Sequence, residues 1–409
     1  MLLAPEGLIL RLISTPMSLY QQRGVSAQKE EVHAATSALD AGLFPHAFCK
    51  VYPDYLGGAE DWVSVMHADG AGTKSIIAYL YWKETGDASV WRGIAQDAIV
   101  MNLDDLLCVG IYDNLVFNST IDRNKHLIPG EVLSEVINGS QALFDMLASQ
   151  GIGIKYLGGE TADVGDVVRT IAVNGTLTAR WPRKKIISNE DIKAGDVIVG
   201  LAGFGKADYE SAYNSGIASN GLTSARHDIL HKHYAEQYPE SFDPNTPYNV
   251  VYTGKYRLTD PVSIHWNNHQ FDTNIGQLIL SPTRTFGPVV KQILETIPEA
   301  IHGMVHCSGG GQTKCLKYIP KGLAVIKDNL FDIPPIFRMI QASSGADNKE
   351  MYQVFNMGCR LELFTDENHA EALIKIAAEF GIEAQITGRV VASEKKYLQI
   401  HTPEGSLEY

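Results

Sequence analysis

A glycine-rich turn that begins with an acidic residue and ends with a lysine is the first feature of this chain that could do chemistry. Its sequence is DGAGTK, and the residues in it that could bind or react are Asp69, Gly70, Gly72, Thr73 and Lys74. Two glycines let a backbone come close to a phosphate, and the free N–H groups of the helix predicted after the turn favour anions. Lys74 could neutralise phosphate charge, and Asp69 could hold Mg²⁺, which prefers oxygen ligands. The turn is not a Walker A loop, and an ordinary turn without a ligand is the alternative.

Further carboxylates occur at two places in the same half of the chain. Asp104 and Asp105 are adjacent in an apolar stretch, and Asp97 lies seven residues before Asp104, so these two share one face of a predicted helix. They form either a solvated helix edge or an acidic face that holds cations, since an unpaired buried carboxylate is costly. Glu160 follows two glycines at the predicted end of a short strand, where it could reach a ligand or belong to a solvated turn. With Asp69, these acids suit a Mg–nucleotide site better together than singly.

The second half of the chain contains candidates for binding an anion. A Ser-Asn-Gly triplet and a run of three glycines each precede a predicted helix, and an arginine stands in the sequence SPTR. Backbone N–H groups in a glycine run can form a nest for an anion, although a simple loop fits equally well. The candidates are Ser219, Asn220, Arg284, Gly309, Gly310 and Gly311.

Alternating strand-like and helix-like segments must position these residues, and such alternation favours α/β or α+β layers. In the first half, strands are predicted over residues 62–68, 155–157 and 171–179, and helices over residues 75–84, 89–109 and 131–150. The glycine-rich turn therefore connects a strand to a helix. In the second half, a buried strand is predicted over residues 196–202 and a helix over residues 371–380.

A basic stretch with a proline, RWPRKK, breaks the composition and predicts a domain boundary near residue 182. We expect an N-terminal domain over residues 17–182 and a C-terminal domain over residues 183–409. Residues 231–275 are polar and aromatic, with several prolines and asparagines, so we interpret them as an insertion in the second domain. Residues 1–16 lack a basic start, and we interpret them as an N-terminal extension rather than a signal peptide.

The composition of the 409-residue chain narrows the class of protein. The formal net charge is -13, and hydrophobic residues make up 45% of the sequence. The apolar content argues against a disordered chain, and the lack of a long apolar run argues against a membrane-spanning protein. The acidity argues against a general nucleic-acid binder. The five cysteines form no CxxC pair, so a reducing cytoplasm is the expected location.

Taken in order, the motifs of this chain resemble those of the aminoimidazole ribonucleotide (AIR) synthetase family, also called phosphoribosylformylglycinamidine cyclo-ligases. The motifs are DGAGTK, NLDDLLCVG, GGET, GIASNGLTSAR, SPTR, HCSGGG and EMYQVFNMG. Each motif is weak alone, but their common order is specific to the superfamily at least. The motif EMYQVFNMG is the one that most favours AIR synthetase over the other members of that superfamily. The resemblance runs from about residue 17 to about residue 395, apart from residues 231–275.

The resemblance implies an α/β (α+β) fold of two domains. N-terminal domains would bind ATP and pair in a homodimer through an intersubunit β-barrel, and the C-terminal domain would be an α/β sandwich. The positions that match the family's ATP site are Asp69, Gly70, Gly72, Thr73, Lys74, Asp105 and Glu160, and the acids among them would hold Mg²⁺. No nucleic acid or membrane partner is expected.

The activity implied is a ring closure in purine biosynthesis. ATP would phosphorylate the formyl oxygen of formylglycinamidine ribonucleotide, which makes that carbon a good electrophile. The amidine-side nitrogen of the same molecule then attacks, phosphate leaves and the imidazole ring forms. Because this attack is intramolecular, the enzyme needs no nucleophile of its own, and phosphoryl transfer asks mainly for positioning and charge neutralisation.

Three positions depart from the family pattern. The glycine-rich loop expected before the DGAGTK strand keeps only two glycines, Ala218 stands where the family commonly has histidine, and Asn118 stands where an aspartate is expected. Two alternatives therefore accompany the ligase. One is another ATP-using member of the superfamily, such as thiamine-monophosphate kinase or selenophosphate synthetase, with Cys49 a candidate for the reactive cysteine of the latter. The other is a non-catalytic paralogue that binds a nucleotide.

Overall fold

Two β-sheets, built from consecutive parts of the chain, organise the fold of the computed structural model. The structure describes residues 19–25, 35–36, 38–266 and 269–409, so the predicted extension over residues 1–16 lies outside the described residues. Strands up to Pro182 form the first sheet. Of the described strands from Val197 onward, seven form the second sheet and the other four form two separate two-stranded sheets. The two-domain α/β fold class predicted from the sequence is confirmed, while the domain bounds and the intersubunit barrel stay predictions.

The first sheet is covered on one face by long helices. In chain order the elements are α1 (Leu19–Gln22), β1 (Tyr52–Pro53), β2 (Trp62–Gly70), α2 (Lys74–Thr85), α3 (Val90–Leu107), β3 (Leu115–Arg123), α4 (Gly130–Ser149), β4 (Ile154–Asp163) and β5 (Ile171–Pro182). Among the described residues the strand order is β1-β2-β5-β3-β4, with only β3 and β4 parallel. Buried and less buried residues alternate along β3 and β5, because successive side chains point to opposite faces. The long helix α3 packs on β2 and β5, and α4 packs on α3.

The strand β4 is longer than predicted, and this changes the setting of Glu160. The glycines before it lie inside the strand, where Gly158 has a φ of 88°. The pairing register with β3 shifts between Phe117 and Ser119, so the glycines accommodate a β-bulge instead of ending the strand. Glu160 is therefore an exposed strand residue opposite Thr120 and not the tip of a turn.

The second sheet is mixed and carries the remaining helices. In chain order its part of the chain contains β6 (Val197–Ala202), β7 (Phe204–Gly205), β8 (Asn214–Ser215), α5 (Leu222–Ile229), α6 (His233–Gln237), β9 (Pro261–Trp266), β10 (His269–Asn274), α7 (Ile275–Ile279), α8 (Gly287–Thr296), β11 (Gly303–His306), α9 (Cys315–Tyr318), β12 (Leu323–Lys327), α10 (Pro335–Ser344), α11 (Asn348–Val354), β13 (Cys359–Thr365), α12 (Glu367–Ala378), β14 (Ala384–Ala392), β15 (Leu398–Thr402) and β16 (Gly405–Glu408). Among the described residues the order is β11-β13-β6-β14-β12-β15-β16. Every residue of β13 is buried, which makes this strand part of the core.

The insertion over residues 231–275 is folded onto the first half of the chain. It contains α6 and the hairpin β9–β10, and its polar groups bond to the helix α2. Tyr234 donates a hydrogen bond to Glu84, and Tyr79 donates one of 2.5 Å to Glu240. Asn274 Nδ2 lies 3.1 Å from the hydroxyl of Tyr81. The insertion therefore joins the two halves of the molecule.

The helix α3 joins the halves more deeply, through carboxylates that are buried in the core. Asp97 is fully buried and accepts from Lys74 Nζ at 2.9 Å and from the backbone N–H and hydroxyl of Thr283 at 2.7 and 2.6 Å. Asp104 lies seven residues further along the same face of the helix, and it accepts from Thr285 Oγ1 at 2.8 Å and from the N–H of Phe286 at 3.3 Å. The interpretation of these acids as a solvated helix edge is wrong, because a partner from the second half meets each one.

Burial acts differently on the two carboxylates. Asp97 has the ammonium of Lys74 as a direct counter-charge. Asp104 has neutral donors in direct contact, so burial raises its pKa to about 7 against the attraction of the more distant Arg360.

Among the described residues, no helix has the length and apolar character needed to cross a bilayer.

We predict that neutralising Asp97 destabilises the protein much more than neutralising Asp104 does. Asp97→Asn should lower the free energy of unfolding by roughly 3–5 kcal/mol, because Lys74 would stay buried without a counter-charge. Asp104→Asn should cost less than about 1 kcal/mol at pH 7, because the native carboxyl is already about half protonated there. Urea unfolding of both variants beside the wild type measures the difference.

The pH dependence provides a second check on Asp104. A folded-state pKa above the unfolded value means that the folded chain binds this proton more tightly. The contribution of Asp104 to stability is therefore fully present near pH 4 and is lost as the pH rises towards 7. Asp104→Asn should lack this part of the slope. Equal slopes for wild type and variant between pH 5 and 7 would contradict the assignment.

Candidate active site

A cleft of about 690 Å³ lies between the two halves of the chain. Many of the residues predicted from the sequence meet there, although they come from distant segments. The predicted residues that line the cleft are Asp69, Gly70, Gly72, Thr73, Asp105, Ser219, Asn220, Gly309 and Gly310. The spacing of these residues along the sequence does not require them to meet, because only the folded chain brings the two glycine-rich segments face to face.

The DGAGTK turn forms the wall on the side of the first sheet. Gly70 ends β2, where a Cβ atom would lie 2.0 Å from Asn174 Oδ1, so the neighbouring strand leaves no room for a larger residue. Gly72 has a φ of 58°, which favours glycine. The hydroxyl of Thr73 lies 2.7 Å from that of Thr223 on α5, so the turn is tied to the opposite wall.

Asp105 has a histidine partner on each of its carboxylate oxygens. Its Oδ1 lies 2.6 Å from His306 Nδ1, and its Oδ2 lies 3.2 Å from His67 Nε2. Burial alone would raise the pKa of Asp105, but the hydrogen bonds from the two histidines outweigh burial and hold this pKa well below its usual range. Asp105 therefore presents a carboxylate, not a carboxylic acid, to the cleft.

The protonation of His306 follows from its second partner. Arg360 donates to His306 Nε2 from Nη2 at 2.7 Å and from Nε at 3.1 Å, and an arginine has no acceptor to offer. His306 Nε2 must therefore be the unprotonated nitrogen, and Nδ1–H donates to Asp105. Burial and the charge of Arg360 lower the pKa of His306 to about 4, which agrees with a neutral ring.

His67 is in the opposite state. The amide nitrogen of Asn102 faces three backbone carbonyls, of Asp69, Ala98 and Gly175, so the amide oxygen is turned towards His67 Nδ1 at 2.9 Å. Both ring nitrogens of His67 thus face acceptors, and both must carry protons. Burial lowers the pKa of His67, but the bonds to Asp105 and Asn102 outweigh it and raise this pKa.

His67, His306 and Arg360 were not among the residues predicted for the site from the sequence. A signal existed for His67, because it precedes Asp69 by two residues on β2 and so points to the same face. His306 is the first residue of the HCSGGG motif and could have been counted among the candidate residues. For Arg360 no local signal exists, since its role depends on the pairing of β11 with β13.

Ser219 and Asn220 form the opposite wall, just before α5. Ser219 Oγ lies 3.3 Å from Thr283 Oγ1. Asn220 Oδ1 is buried and has no hydrogen-bond partner among the described residues. A buried acceptor of this kind needs a donor, so Asn220 Oδ1 favours a ligand with an N–H or O–H group.

The glycine run closes the far end of the cleft. Ser308, Gly309 and Gly310 line it together with Lys314 and Lys317. Lys314 Nζ donates to Ser308 Oγ at 2.9 Å, which holds a cation beside the glycine backbone. A phosphate group fits this combination of positive charge and backbone N–H groups.

A buried network beneath the glycine run fixes its position. Gln312 donates to the carbonyls of Asn356 at 2.6 Å and Cys359 at 2.8 Å, and its own carbonyl accepts from Lys327 Nζ at 2.7 Å. Lys327 is in turn ion-paired with Glu362, and both side chains are fully buried. The loop is therefore held at Gln312, and Gly309 and Gly310 line the cleft.

Four of the predicted site residues do not line this cleft. Lys74 is buried against Asp97 and the carbonyl of Ser281, and Arg284 is buried against Glu210 and the carbonyls of Ala202 and Phe204. Gly311 lies under the loop, where a Cβ atom would meet the carbonyl of Phe355 at 2.4 Å. Glu160 is exposed on β4. The structure gives Lys74, Arg284 and Gly311 bonding or packing roles in the core, and direct ligand contacts for these four residues stay predictions.

The positions that depart from the family pattern have separate environments. Asn118 is exposed on β3, and Ala218 is buried beside Ser219 with a φ of 57°. Cys49 is buried, and its Sγ donates to the carbonyl of Asp105 at 3.0 Å. Burial raises the pKa of the Cys49 thiol well above its usual value, so the sulfur stays protonated and does not suit the role of reactive cysteine.

The cleft can therefore bind phosphorylated molecules and neutralise their charge. It offers carboxylates for a cation at one end, lysines and glycine N–H groups at the other, and an unsatisfied acceptor in the wall between them. This arrangement suits phosphoryl transfer, which depends mainly on positioning and electrostatics.

Known proteins of one family match both halves of the chain. Residues 49–181 match the AIR synthase related protein, N-terminal domain, and residues 280–401 match the C-terminal domain of the same family. A curated relative from Methanocaldococcus jannaschii, a phosphoribosylformylglycinamidine cyclo-ligase, is 31% identical over 344 residues, which cover 83% of this chain and 82% of the relative.

Solved structures share the fold at lower identity. The HypE–HypF complex matches with a TM-score of 0.54 and 16% identity, covering 94% of this chain and 98% of that chain. Thiamine monophosphate kinase from Aquifex aeolicus matches with a TM-score of 0.50 and 10% identity, covering 91% and 96%. At these identities the likeness concerns the fold alone.

We predict that His306 is neutral, with its proton on Nδ1, from pH 5.5 to 8. The reason is that Arg360 occupies Nε2 and the pKa is lowered to about 4. Long-range ¹H–¹⁵N spectra of ¹⁵N-histidine-labelled protein measure the tautomer, and His306→Gln identifies the signal by its loss. A proton on Nε2, or a titration of this ring near pH 6.5, would contradict the arrangement.

Proposed function

Because this chain belongs to the AIR synthase related protein family, we propose that it catalyses the ATP-dependent cyclisation of formylglycinamidine ribonucleotide to aminoimidazole ribonucleotide, ADP and phosphate. The relative named as the cyclo-ligase aligns along most of both chains, which supports the reaction and its place in purine biosynthesis. The observation that carries the proposal is the single cleft in which the DGAGTK turn, Asp105 and the glycine run face one another.

The two ends of the cleft have different tasks in this proposal. The backbone of residues 70–73 would bind the phosphates of ATP, and Ser308, Gly309 and Lys314 would bind the phosphate of the ribonucleotide. Bound this way, the two molecules would meet near the middle of the cleft, so that the formyl oxygen can be phosphorylated. The chain then has only to hold the substrate folded on itself while its own nitrogen closes the ring.

Asp69 and Asp105 fit the binding of Mg²⁺, although no group of three or more His, Cys, Asp or Glu side chains among the described residues is arranged to hold a metal. Mg²⁺ is commonly held by one or two carboxylates, with phosphate oxygens and water completing its shell. When bound, the ion would neutralise charge on the phosphates. His67 and His306 keep Asp105 ionised for that role.

We also propose that two chains pair through the first sheet. Among the described residues, β4 is an edge strand, and the face of the sheet away from α3 is open. Apolar residues are exposed nearby, with Met66 at 69%, Leu157 at 62% and Val167 at 82%. An exposed edge with apolar side chains is normally covered in native proteins. Glu160 lies on this edge, so we assign its predicted ligand role to the paired state.

The decisive experiment follows both products from one reaction. Purified protein is incubated with formylglycinamidine ribonucleotide, ATP and Mg²⁺, and ADP and aminoimidazole ribonucleotide are measured together. Equal amounts of both products are expected. ADP without the imidazole product would indicate another acceptor, as in a thiamine-monophosphate kinase or a selenophosphate synthetase. Nucleotide binding without either product would indicate the non-catalytic paralogue.

We predict that Asp69→Asn lowers kcat at least about 100-fold, because one of the two carboxylates proposed to hold Mg²⁺ against the phosphates is lost. The matched control is Asp61→Asn, which changes an exposed acid just before the same strand. The control should keep wild-type activity, and both variants should keep the wild-type melting temperature within a few degrees. Asp69→Asn with full activity would remove this residue from the site.

A separate prediction concerns Glu160 and the dimer. Leu157→Asp should produce monomers in sedimentation velocity, because it places a charge on the apolar edge. If Glu160 acts in the paired state, Glu160→Gln should lower Mg²⁺-dependent turnover without changing the sedimentation coefficient. A monomeric wild-type protein with full activity would contradict both parts.

A further inference from the structure

A short segment near the start of the described chain forms part of the cleft wall. Tyr20 and Val25, at the two ends of residues 19–25, line the cleft together with Gln353 and Val354 of α11. Ser308 and Lys314 line the same cleft. The segment is far from them in sequence, and its position is not explained by the roles assigned above.

The local structure of this segment fixes Tyr20 relative to Val25. The last residue of α1 is Gln22, and Gly24, which closes the helix, has a φ of 74° that favours glycine. The N–H of Gly24 bonds to the carbonyl of Gln21 at 3.0 Å, and the N–H of Val25 bonds to that of Tyr20 at 3.1 Å. This pair of bonds is the Schellman pattern that closes helices.

Arg23 anchors the segment to the second half of the chain. Its Nη1 donates to Asp228 Oδ1 at 2.6 Å and to Ser224 Oγ at 2.8 Å, both on α5. Its Nε donates to the carbonyl of Val250 at 3.0 Å, and Nη2 lies 3.5 Å from Thr253 Oγ1, both in the insertion. The side chain of Arg23 is 1% exposed, so the guanidinium depends on these partners.

This anchor couples the segment to residues already assigned to the cleft. The helix α5 begins directly after Ser219 and Asn220, and Thr223 of the same helix is bonded to Thr73. A buried charge that loses its partner is strongly unfavourable, so Arg23 and α5 are expected to move together. Through Val250 and Thr253 the insertion also helps to hold Arg23 in place, in addition to joining the two halves.

We propose that Tyr20 contacts the ribonucleotide substrate and that Arg23 is the positioning residue that holds Tyr20 against it. This inference rests on the proposed function, and it adds a substrate contact that none of the sequence motifs contains. The phenol of Tyr20 is suited to donate a hydrogen bond to a phosphate or sugar oxygen while its ring covers the ligand. Burial and the nearby Glu350 raise the pKa of Tyr20 to about 12, so its hydroxyl keeps the proton at neutral pH.

The test separates substrate contact from simple stability. Tyr20→Ala should raise KM for formylglycinamidine ribonucleotide about tenfold, and Tyr20→Phe should raise it several-fold, while KM for ATP stays within about twofold of wild type. Arg23→Met should raise the same KM, and Arg23→Lys should raise it less. In the double variant Arg23→Met with Tyr20→Ala, the two effects should not add, because both remove one contact.

A matched control removes another bond between the insertion and the rest of the chain. Tyr79→Phe deletes the hydrogen bond to Glu240 and leaves residues 19–25 untouched. It should lower the melting temperature as much as, or more than, Tyr20→Phe without changing either KM. A rise of the substrate KM in Tyr79→Phe would show that loss of stability alone has this effect and would overturn the proposal.

Calorimetric titration with formylglycinamidine ribonucleotide distinguishes the failure of this inference from the failure of the proposed reaction. If wild type makes the product but Tyr20→Ala keeps its KM, or changes only KM for ATP, the role of Tyr20 is overturned and the reaction stands. If wild type is inactive yet binds the ribonucleotide, weaker binding by Tyr20→Ala supports the contact. A wild type that does not bind the ribonucleotide at all overturns both.

Discussion

Buried carboxylates on the helix α3 are the constraint on which the rest of the structure depends. Asp97, Asp104 and Asp105 lie on a helix that packs against the first sheet, yet the second half of the chain supplies partners to each of them. A buried carboxylate needs such partners, so these bonds hold the two halves of the chain together. The cleft exists because the same bonds that join the halves also fix the distance between their glycine-rich loops.

Asp105 shows how this structural role leads to a chemical one. Its two oxygens are bound by a neutral His306 and a protonated His67, and these states follow from the donors and acceptors around each ring. Arg360 determines that His306 is neutral, and Asn102 determines that His67 is protonated. The result is an acid that stays ionised although it is buried, at the edge of a cleft that otherwise offers cations and N–H groups. Such an arrangement suits the handling of phosphates, as the family of this chain requires.

The insertion and the short segment around Arg23 add a second layer of support. The insertion bonds to α2, which starts at the DGAGTK turn, and it accepts hydrogen bonds from Arg23, which belongs to the segment whose Tyr20 and Val25 line the cleft. Changes in this peripheral part of the chain can therefore reach both ends of the site. This connection gives a physical reason why a polar, aromatic stretch of the sequence folds as part of the body of the protein.

Local periodicity and glycines in the sequence predicted elements such as β2, α2 and α3 but not the strand β3, and the order of the motifs determined the family. It also indicated the DGAGTK turn, Asp105, the Ser219-Asn220 pair and the glycine run as candidates, because residues of those types can bind phosphates or cations, although ordinary turns fitted the same patterns. Only the tertiary structure decided which charged groups face the cleft. Lys74 and Arg284 carry the right charge, but Asp97 and Glu210 bind them in the core. His67, Arg360 and Arg23 gain their roles from partners distant in sequence, and no spacing along the chain specifies such contacts.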